Sequence, residues 1–310
     1  MDELVVLFGG GGFLGRYVAQ ELLRSGARVR IAERDPLDAF FLKPLAALGQ
    51  AQSIRADITK PETVARAVQG ATAVVNLVGL LKGKFQAVHV DGAANVARAA
   101  AAAGVQRLVQ ISAIGADPAA ESAYARTKGE GEQAVRVAFP AATIIRPSIL
   151  FGPEDGFVNK FAGLISRLPV LPVIRPATRF QPAWVVDVAR AIGKAALSPD
   201  LAGQTFELGG PDVLTMAQVN SWIGQAIGRD RLFMPVPAPA AAALAAVGSF
   251  LPGAPITGDQ WKMLQRDNVV APGARTLAEL GIAPTPLAAV AEGWLVQYRK
   301  HGRFGDRVRA

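Results

Sequence analysis

The chain has 310 residues, 51% of them hydrophobic and 19% charged, with a formal net charge of +8. That is enough apolar material for one large domain or two smaller ones. Cysteine is absent and histidine occurs twice, which excludes disulfides, thiol nucleophiles and cysteine metal sites and argues against a histidine metal centre. No metal is expected. The N-terminus leads directly into an apolar run with no signal-peptide pattern, so a cytoplasmic, reducing location is expected. Positive charge gathers at the end, with Arg299, Lys300, Arg303, Arg307 and Arg309 against Asp306. Such a tail suits an anionic partner, but no aromatic-interleaved basic module supports nucleic acid.

Leu4–Phe8 reads as a buried strand, and Gly9-Gly10-Gly11-Gly12 follows as a turn. Leu14, Val18 and Leu22 then recur every four residues on one helix face. Strand, glycine turn and helix N-terminus together form a phosphate site, where backbone N–H groups and the helix dipole favour negative charge. Two spacings compete: Gly10, Gly12 and Gly15 fit G-x-G-x-x-G, and Gly9, Gly12 and Gly15 fit G-x-x-G-x-x-G.

The first helix ends near Ser25-Gly26, and a second strand, Val29–Ile31, leads to Glu33-Arg34. An acidic residue there suits the adenosine ribose hydroxyls of NAD, whereas an arginine suits the 2′-phosphate of NADP. Both types are present, so the choice stays open. A third strand spans Gln52–Ala56 and ends at Asp57. Thr59 is expected to cap a helix starting at Pro61. Ala73–Val78 is a further apolar strand containing Asn76 and ending at Gly79. A helix is expected over 89–103, then a fifth strand over Leu108–Ser112. This alternation with short connections predicts an α/β fold with a Rossmann-type doubly wound parallel sheet.

Tyr124 and Lys128 lie four apart on a helix running to just before Pro140, so they share a face. A tyrosine near its ordinary pKa of about 10 is a poor base at neutral pH. A neighbouring ammonium is expected to lower it, letting the pair move a proton while a cofactor moves a hydride.

These residues together resemble the short-chain dehydrogenase/reductase superfamily, in its extended and atypical branches. The matching pieces are Gly9/Gly12/Gly15, Asp57, Asn76–Gly79, Ser112, Tyr124-x-x-x-Lys128 and Arg146-Pro147-Ser148. The resemblance selects the Gly9 spacing. It implies a nucleotide site drawn from Gly9, Gly12, Phe13, Leu14, Gly15, Glu33, Arg34, Asp57, Ile58, Asn76, Val78, Gly79, Ser112, Pro147 and Ser148, with Tyr124 as acid/base and Lys128 on the nicotinamide ribose. Two places depart from the pattern. His89-Val90-Asp91-Gly92 stands where extended members carry Asn-Val-x-Gly, which makes His89 a packing residue. Ser112 aligns either with the catalytic serine or with the non-catalytic serine before it, which would leave Ala113 in the catalytic place. Ser122 could substitute only if its loop folded back.

A narrower resemblance runs along nearly the whole chain, to the dehydrogenase-like accessory subunit family of respiratory complex I and its bacterial homologues. It rests on Phe8-Gly9 with Gly12–Val18, Ala138-Phe139-Pro140, Arg146-Pro147-Ser148, Phe151–Asp155, Gln181-Pro182 and Val185–Val188. Asp259-Gln260, Leu264 and Asp267-Asn268 match it less closely. It implies a tightly held, structural nucleotide, usually NADPH, and complex I subunits as partners at the inner face of a respiratory membrane. Arg34 matches the family's 2′-phosphate arginine and tilts the expectation to NADP(H), while the charge of Glu33 opposes a phosphate. The alternative is an active NAD(P)-dependent oxidoreductase, epimerase or dehydratase acting on a sugar nucleotide or small carbonyl through Tyr124 and Lys128.

Beyond Phe151 the alternation weakens. The domain reading is 1–150 for the nucleotide domain with 183–210 returning to it, and 151–182 plus 211–310 for a smaller substrate-side lobe. Prolines at 169, 172, 176 and 182 predict loop or short extended pieces. Asp187 is expected to start a helix over Val188–Leu197, and Thr205–Leu208 to form a strand. Leu232–Leu251 is nearly all apolar yet far short of the roughly 20 residues of a membrane span. It reads either as an alanine-rich core helix or as an exposed surface that docks on a partner or a membrane interface.

Overall fold

The computed structural model describes residues 3–248 and 256–304. The chain forms two compact units. The first comprises Met1–Pro147, Val185–Leu208 and Pro272–Ala283, and the second Ser148–Trp184, Gly209–Ala271 and Pro284–Ala310.

The first unit is built on a sheet of seven parallel strands. They are β1 (Leu4–Phe8), β2 (Arg28–Glu33), β3 (Ala51–Arg55), β4 (Ala73–Asn76), β5 (Arg107–Ile111), β6 (Thr143–Pro147) and the strand Thr205–Leu208. The spatial order is Thr205–Leu208, β6, β5, β4, β1, β2, β3. The order reverses between β1 and β4, which is where a doubly wound sheet opens a crevice at its carboxyl edge. β1 and β4 are buried along their whole length, so their apolar runs show no alternation. Helices α1 (Phe13–Arg24), α2 (Pro61–Ala67), α3 (Ala93–Ala102) and α4 (Ala123–Ala138) follow strands of this sheet. Val18 and Leu22 of α1 are fully buried, as their four-residue spacing requires.

Several local expectations change. Thr59 does not cap α2: the cap residue is Lys60, and the Thr59 hydroxyl donates instead to Asp57 Oδ1 at 2.8 Å. The strand expected to reach Val78 stops at Asn76, whose side chain accepts the Val78 N–H at 3.2 Å and turns the chain. The helix expected over 89–103 begins earlier, as a widened π-helical segment Gln86–Gly92 that continues into α3. Asp187 lies inside the helix Val185–Leu197 rather than before it, buried and paired with Arg190 at 3.3 Å. The stretch 272–283, read from sequence as part of the smaller lobe, lies in the first unit. There Glu207 N donates to Arg275 O at 2.8 Å, and Lys194 Nζ to Leu280 O at 2.9 Å.

The second unit has its own core, in which Phe151, Val158, Ile165, Leu171, Val219, Ile223 and Leu295 are buried. Its proline-containing segment holds a five-residue strand, Val170–Ile174, paired in parallel with Leu232–Val236. Asn268 secures the neighbouring chain, accepting from Ser148 Oγ at 2.7 Å and from Ile149 N at 3.1 Å. Among the described residues no helix is long and apolar enough to cross a membrane. Of the basic tail, Arg299 is packed, donating to Ala226 O at 3.1 Å and pairing with Glu292. Asp306, Arg307 and Arg309 lie outside the described residues, as do residues 249–251 of the apolar stretch.

Candidate functional site

The site grows from the carboxyl edge of the first unit's sheet. Gly9 ends β1 with φ +84°, a left-handed conformation that favours glycine. A Cβ on Gly15 would fall 2.2 Å from Gly9 O, and one on Gly10 would fall 2.8 Å from Ile31 Cγ2. Both motif spacings therefore contain glycines that packing requires. Gly12 differs. It precedes α1, is exposed, and its Cβ would meet only Gly9 O at 3.3 Å. No side chain caps α1 and no acid lies in its first turn. The helix thus presents backbone N–H groups beside Phe13 and Leu14, as an anion-binding terminus requires.

At the end of β2, Glu33 Oε1 accepts the Gly11 N–H at 2.6 Å. Burial raises the Glu33 pKa against that hydrogen bond. The carboxylate is therefore engaged by the glycine turn itself, next to an exposed Arg34. After β3, burial acts to raise the Asp57 pKa. The Thr59 N–H and hydroxyl, with the charges of Lys60 and Arg34, outweigh it and hold the carboxyl below its ordinary value. The Ile58 side chain is buried against Gly92, where a Cβ would lie 2.7 Å from Ile58 Cδ1. Its carbonyl accepts from Asn95 Nδ2 at 2.9 Å.

A polar chain crosses the ends of β4 and β5 to reach α4. Asn76 is fully buried and donates to Gln110 Oε1 at 2.9 Å, and Gln110 Nε2 donates to Ile111 O at 3.0 Å. The same carbonyl accepts Lys128 Nζ at 3.1 Å. Lys128 also rests over Gly79, where a Cβ would stand 3.1 Å from Nζ. Val78 packs its Cγ2 3.3 Å from the corresponding point on Gly9. Asn76 therefore braces the site from within. Burial lowers the Lys128 pKa to about 8, with Glu132 opposing.

Tyr124 departs from expectation. Burial pushes its phenol up to about 12, so Lys128 does not lower it. The hydroxyl therefore keeps its proton at neutral pH. Ser112 is buried, and its Oγ has no hydrogen-bond partner among the described residues. An orphaned buried hydroxyl costs stability unless a ligand satisfies it. Ser122 caps α4, accepting from Ala125 N at 3.3 Å, so its loop does not fold back to replace Ser112. Pro147 is buried and its carbonyl accepts from Ile114 N at 3.1 Å. Ser148 belongs to the second unit, where Asn268 engages it.

His89, read from sequence as a packing residue, is buried between the turn after Gly79 and α4. Nε2 accepts the Leu80 N–H at 2.9 Å, so the ring proton sits on Nδ1, which faces Thr127 Oγ1 at 3.0 Å. Thr127 in turn donates to Ala123 O at 2.7 Å. The imidazole stacks on Phe85 (5.3 Å, 20°) and meets Tyr124 edge-on (5.4 Å, 88°). Burial, and next the charge of Lys128, drive its pKa down to about 3. Neutral His89 thus ties the turn after Gly79 to the helix that carries Tyr124 and Lys128. The only sequence signal was that one of two histidines replaces the family's usual asparagine.

Known proteins resemble both the fold and the site-bearing unit. A family of NAD(P)H-binding proteins matches residues 9–160. The mitochondrial NADH-ubiquinone oxidoreductase 40 kDa subunit of Neurospora crassa is 32% identical over 303 residues, covering 96% of this chain and 80% of the relative. The chain belongs to that family. A ceramide reductase of Caulobacter vibrioides is 34% identical over 203 residues, 64% of this chain and 62% of the relative. In fold, the Citrobacter triphenylmethane reductase complexed with NADP(H) superposes with a TM-score of 0.76 at 18% identity, over 95% of this chain and 99% of that one.

As a family member the chain carries a nicotinamide-nucleotide-binding Rossmann unit. The glycine turn, the uncapped α1 and the orphaned Ser112 hydroxyl fit such a nucleotide.

Proposed function

We propose that this protein is an accessory subunit or assembly and stability factor of respiratory NADH:ubiquinone oxidoreductase, peripheral on the inner face of the membrane, holding its nucleotide tightly. The observation that carries this reading is the extent of the likeness. Identity to the 40 kDa subunit runs over 96% of the chain, whereas the nucleotide-binding family match ends at residue 160. A likeness through both units supports a shared assembly role more than a shared cofactor alone.

In this reading the α1 N-terminus and the Gly9–Gly12 turn hold the pyrophosphate. Asp57 faces the adenine, Lys128 the nicotinamide ribose, and Arg34 the 2′-phosphate of NADP(H). NADP(H) is favoured because the Glu33 carboxylate is tied to Gly11 N while Arg34 is exposed beside it. Mass spectrometry of nucleotide released from gently purified protein tests this. Stoichiometric NADP(H) is expected, together with co-migration of the protein with the respiratory complex on native gels. Absence from the complex, with assembly intact in a deletion strain, would end the accessory reading.

The protonated Tyr124 supports a second reading, a carbonyl reductase. A bound nicotinamide supplies hydride to the carbonyl carbon. Tyr124 Oη gives its proton to the carbonyl oxygen, and Ser112 Oγ–H, otherwise unpartnered, polarises that oxygen. Turnover of a carbonyl panel in the isolated protein distinguishes this reading from the first.

A further inference from the structure

The second unit carries an apolar face that its own fold leaves uncovered. In the parallel ribbon, Leu232 pairs with Val170 and Met234 with Pro172. Directly paired residues share a face, and all four are exposed, with Leu232 at 60% and Met234 at 52%. Their neighbours Leu171 and Val173 point inward and are buried. A two-stranded ribbon ordinarily sets polar side chains on its outer face. The chain then enters the helix Ala238–Gly248, which has no polar side chain at any position. Only Ala241, Ala245 and Gly248 are buried, while Leu244 and Val247 stand out. The apolar stretch therefore has one face buried and one face, with Leu232, Met234, Leu244 and Val247, at the surface.

We propose that this face seats on an anionic lipid surface. The argument is one of chemistry and charge. Across the ribbon face and the helix no side chain donates or accepts a hydrogen bond, whereas protein-binding patches concentrate Tyr, Trp and Arg at their centres. The ribbon's rim is cationic: Arg167 and Arg231 precede its two strands, and Arg175 follows Ile174. The second unit as a whole holds thirteen lysines and arginines against eight aspartates and glutamates. Apolar side chains flanked by basic ones match the boundary between acyl chains and anionic headgroups.

This proposal deepens the peripheral seating proposed above and rests on it, but vesicle binding is read on the isolated chain, so its failure is distinguishable from failure of the nucleotide or complex I reading. The full chain is floated with vesicles of phosphatidylcholine alone and with about one third phosphatidylglycerol. Flotation with the anionic vesicles is expected, weakened about tenfold or more on neutral ones. Leu232→Glu with Met234→Glu should abolish it, and Arg167→Glu with Arg175→Glu should remove the anionic preference. A parent-like thermal melt and far-UV circular dichroism spectrum for each variant show that the fold survives. Three results would overturn the proposal: no flotation with either vesicle, equal binding to both, or flotation of the Glu pair like the parent. So would a dimer, or a protein complex, that the Glu pair dissolves while vesicles go unbound.

Discussion

Burial sets different protonation states for Tyr124, Lys128 and His89. Tyr124, raised to about 12, is a donor at neutral pH, and Lys128, lowered to about 8, is mostly an ammonium at pH 7. Tyr124→Phe removes the donor and leaves the ring contacts with Phe85 and His89. Nucleotide retention is expected to stay at the parent level, while carbonyl turnover, if measurable in the parent, falls about 100-fold or more. His89 makes a separate prediction about stability. Its folded pKa of about 3 lies below the unfolded value of about 6.5. Between those values the unfolded chain binds more protons, so stability is present above pH 6.5 and is lost as pH falls through the window. Urea unfolding at pH 6.5 and pH 5 should show a loss of about 2 kcal/mol from this residue. His89→Gln should unfold with that part of the slope removed.

At the level of elements, the site depends on close backbone approach. Gly131 of α4 lets the π-helical segment come so near that a Cβ would fall 2.0 Å from His89 O, and a Cβ on Gly129 would fall 2.5 Å from Pro118 N. Glycines on two different sides of α4, one against Pro118 and one against His89, fix where Tyr124 and Lys128 stand relative to the turn after Gly79. Gly131→Ala should destabilise the fold by about 2 kcal/mol or more and weaken nucleotide retention, because main chain must move. Gly26→Ala is the comparison. Gly26 has φ +84° with nothing within 4 Å of its Cβ position, so its cost is conformational, about 1 kcal/mol, and retention should be unchanged. Thermal melts and nucleotide stoichiometry on both variants separate overlap from backbone strain. The β1–turn–α1 element was legible because one run of sequence contains all of it. The π-helical segment was not, because its widening comes from packing on α4.

At the scale of the molecule, an internal ion cluster ties strands to helix behind the site. Arg146 on β6 donates to both carboxylate oxygens of Glu132 on α4, at 2.9 and 2.6 Å, and to Glu207 on the strand Thr205–Leu208 at 3.3 Å. Glu132 and Glu207 are buried, and their hydrogen bonds raise the Arg146 pKa further. Arg146→Met keeps the apolar stem and removes the charge that both carboxylates face. A loss of about 3–5 kcal/mol is expected in chemical denaturation, with nucleotide retention falling in parallel because Glu132 lies one helical turn from Lys128.

The sequence by itself determined the parallel Rossmann sheet, the anion-binding turn and the shared face of Tyr124 and Lys128. Each is set by short-range spacing: continuous apolar strands, glycines at a turn, and four residues along a helix. Only the tertiary structure decided that burial keeps Tyr124 protonated and that Asn76, Gln110 and Ile111 brace Lys128 from the sheet. It also placed His89 as the tie between loop and helix, and left Leu244 and Val247 of the alanine-rich helix facing outward. Burial and long-range hydrogen bonds govern these outcomes. Identical local sequence can be core or surface, and a tyrosine or histidine can hold or lose its proton, depending on which distant segments pack around it.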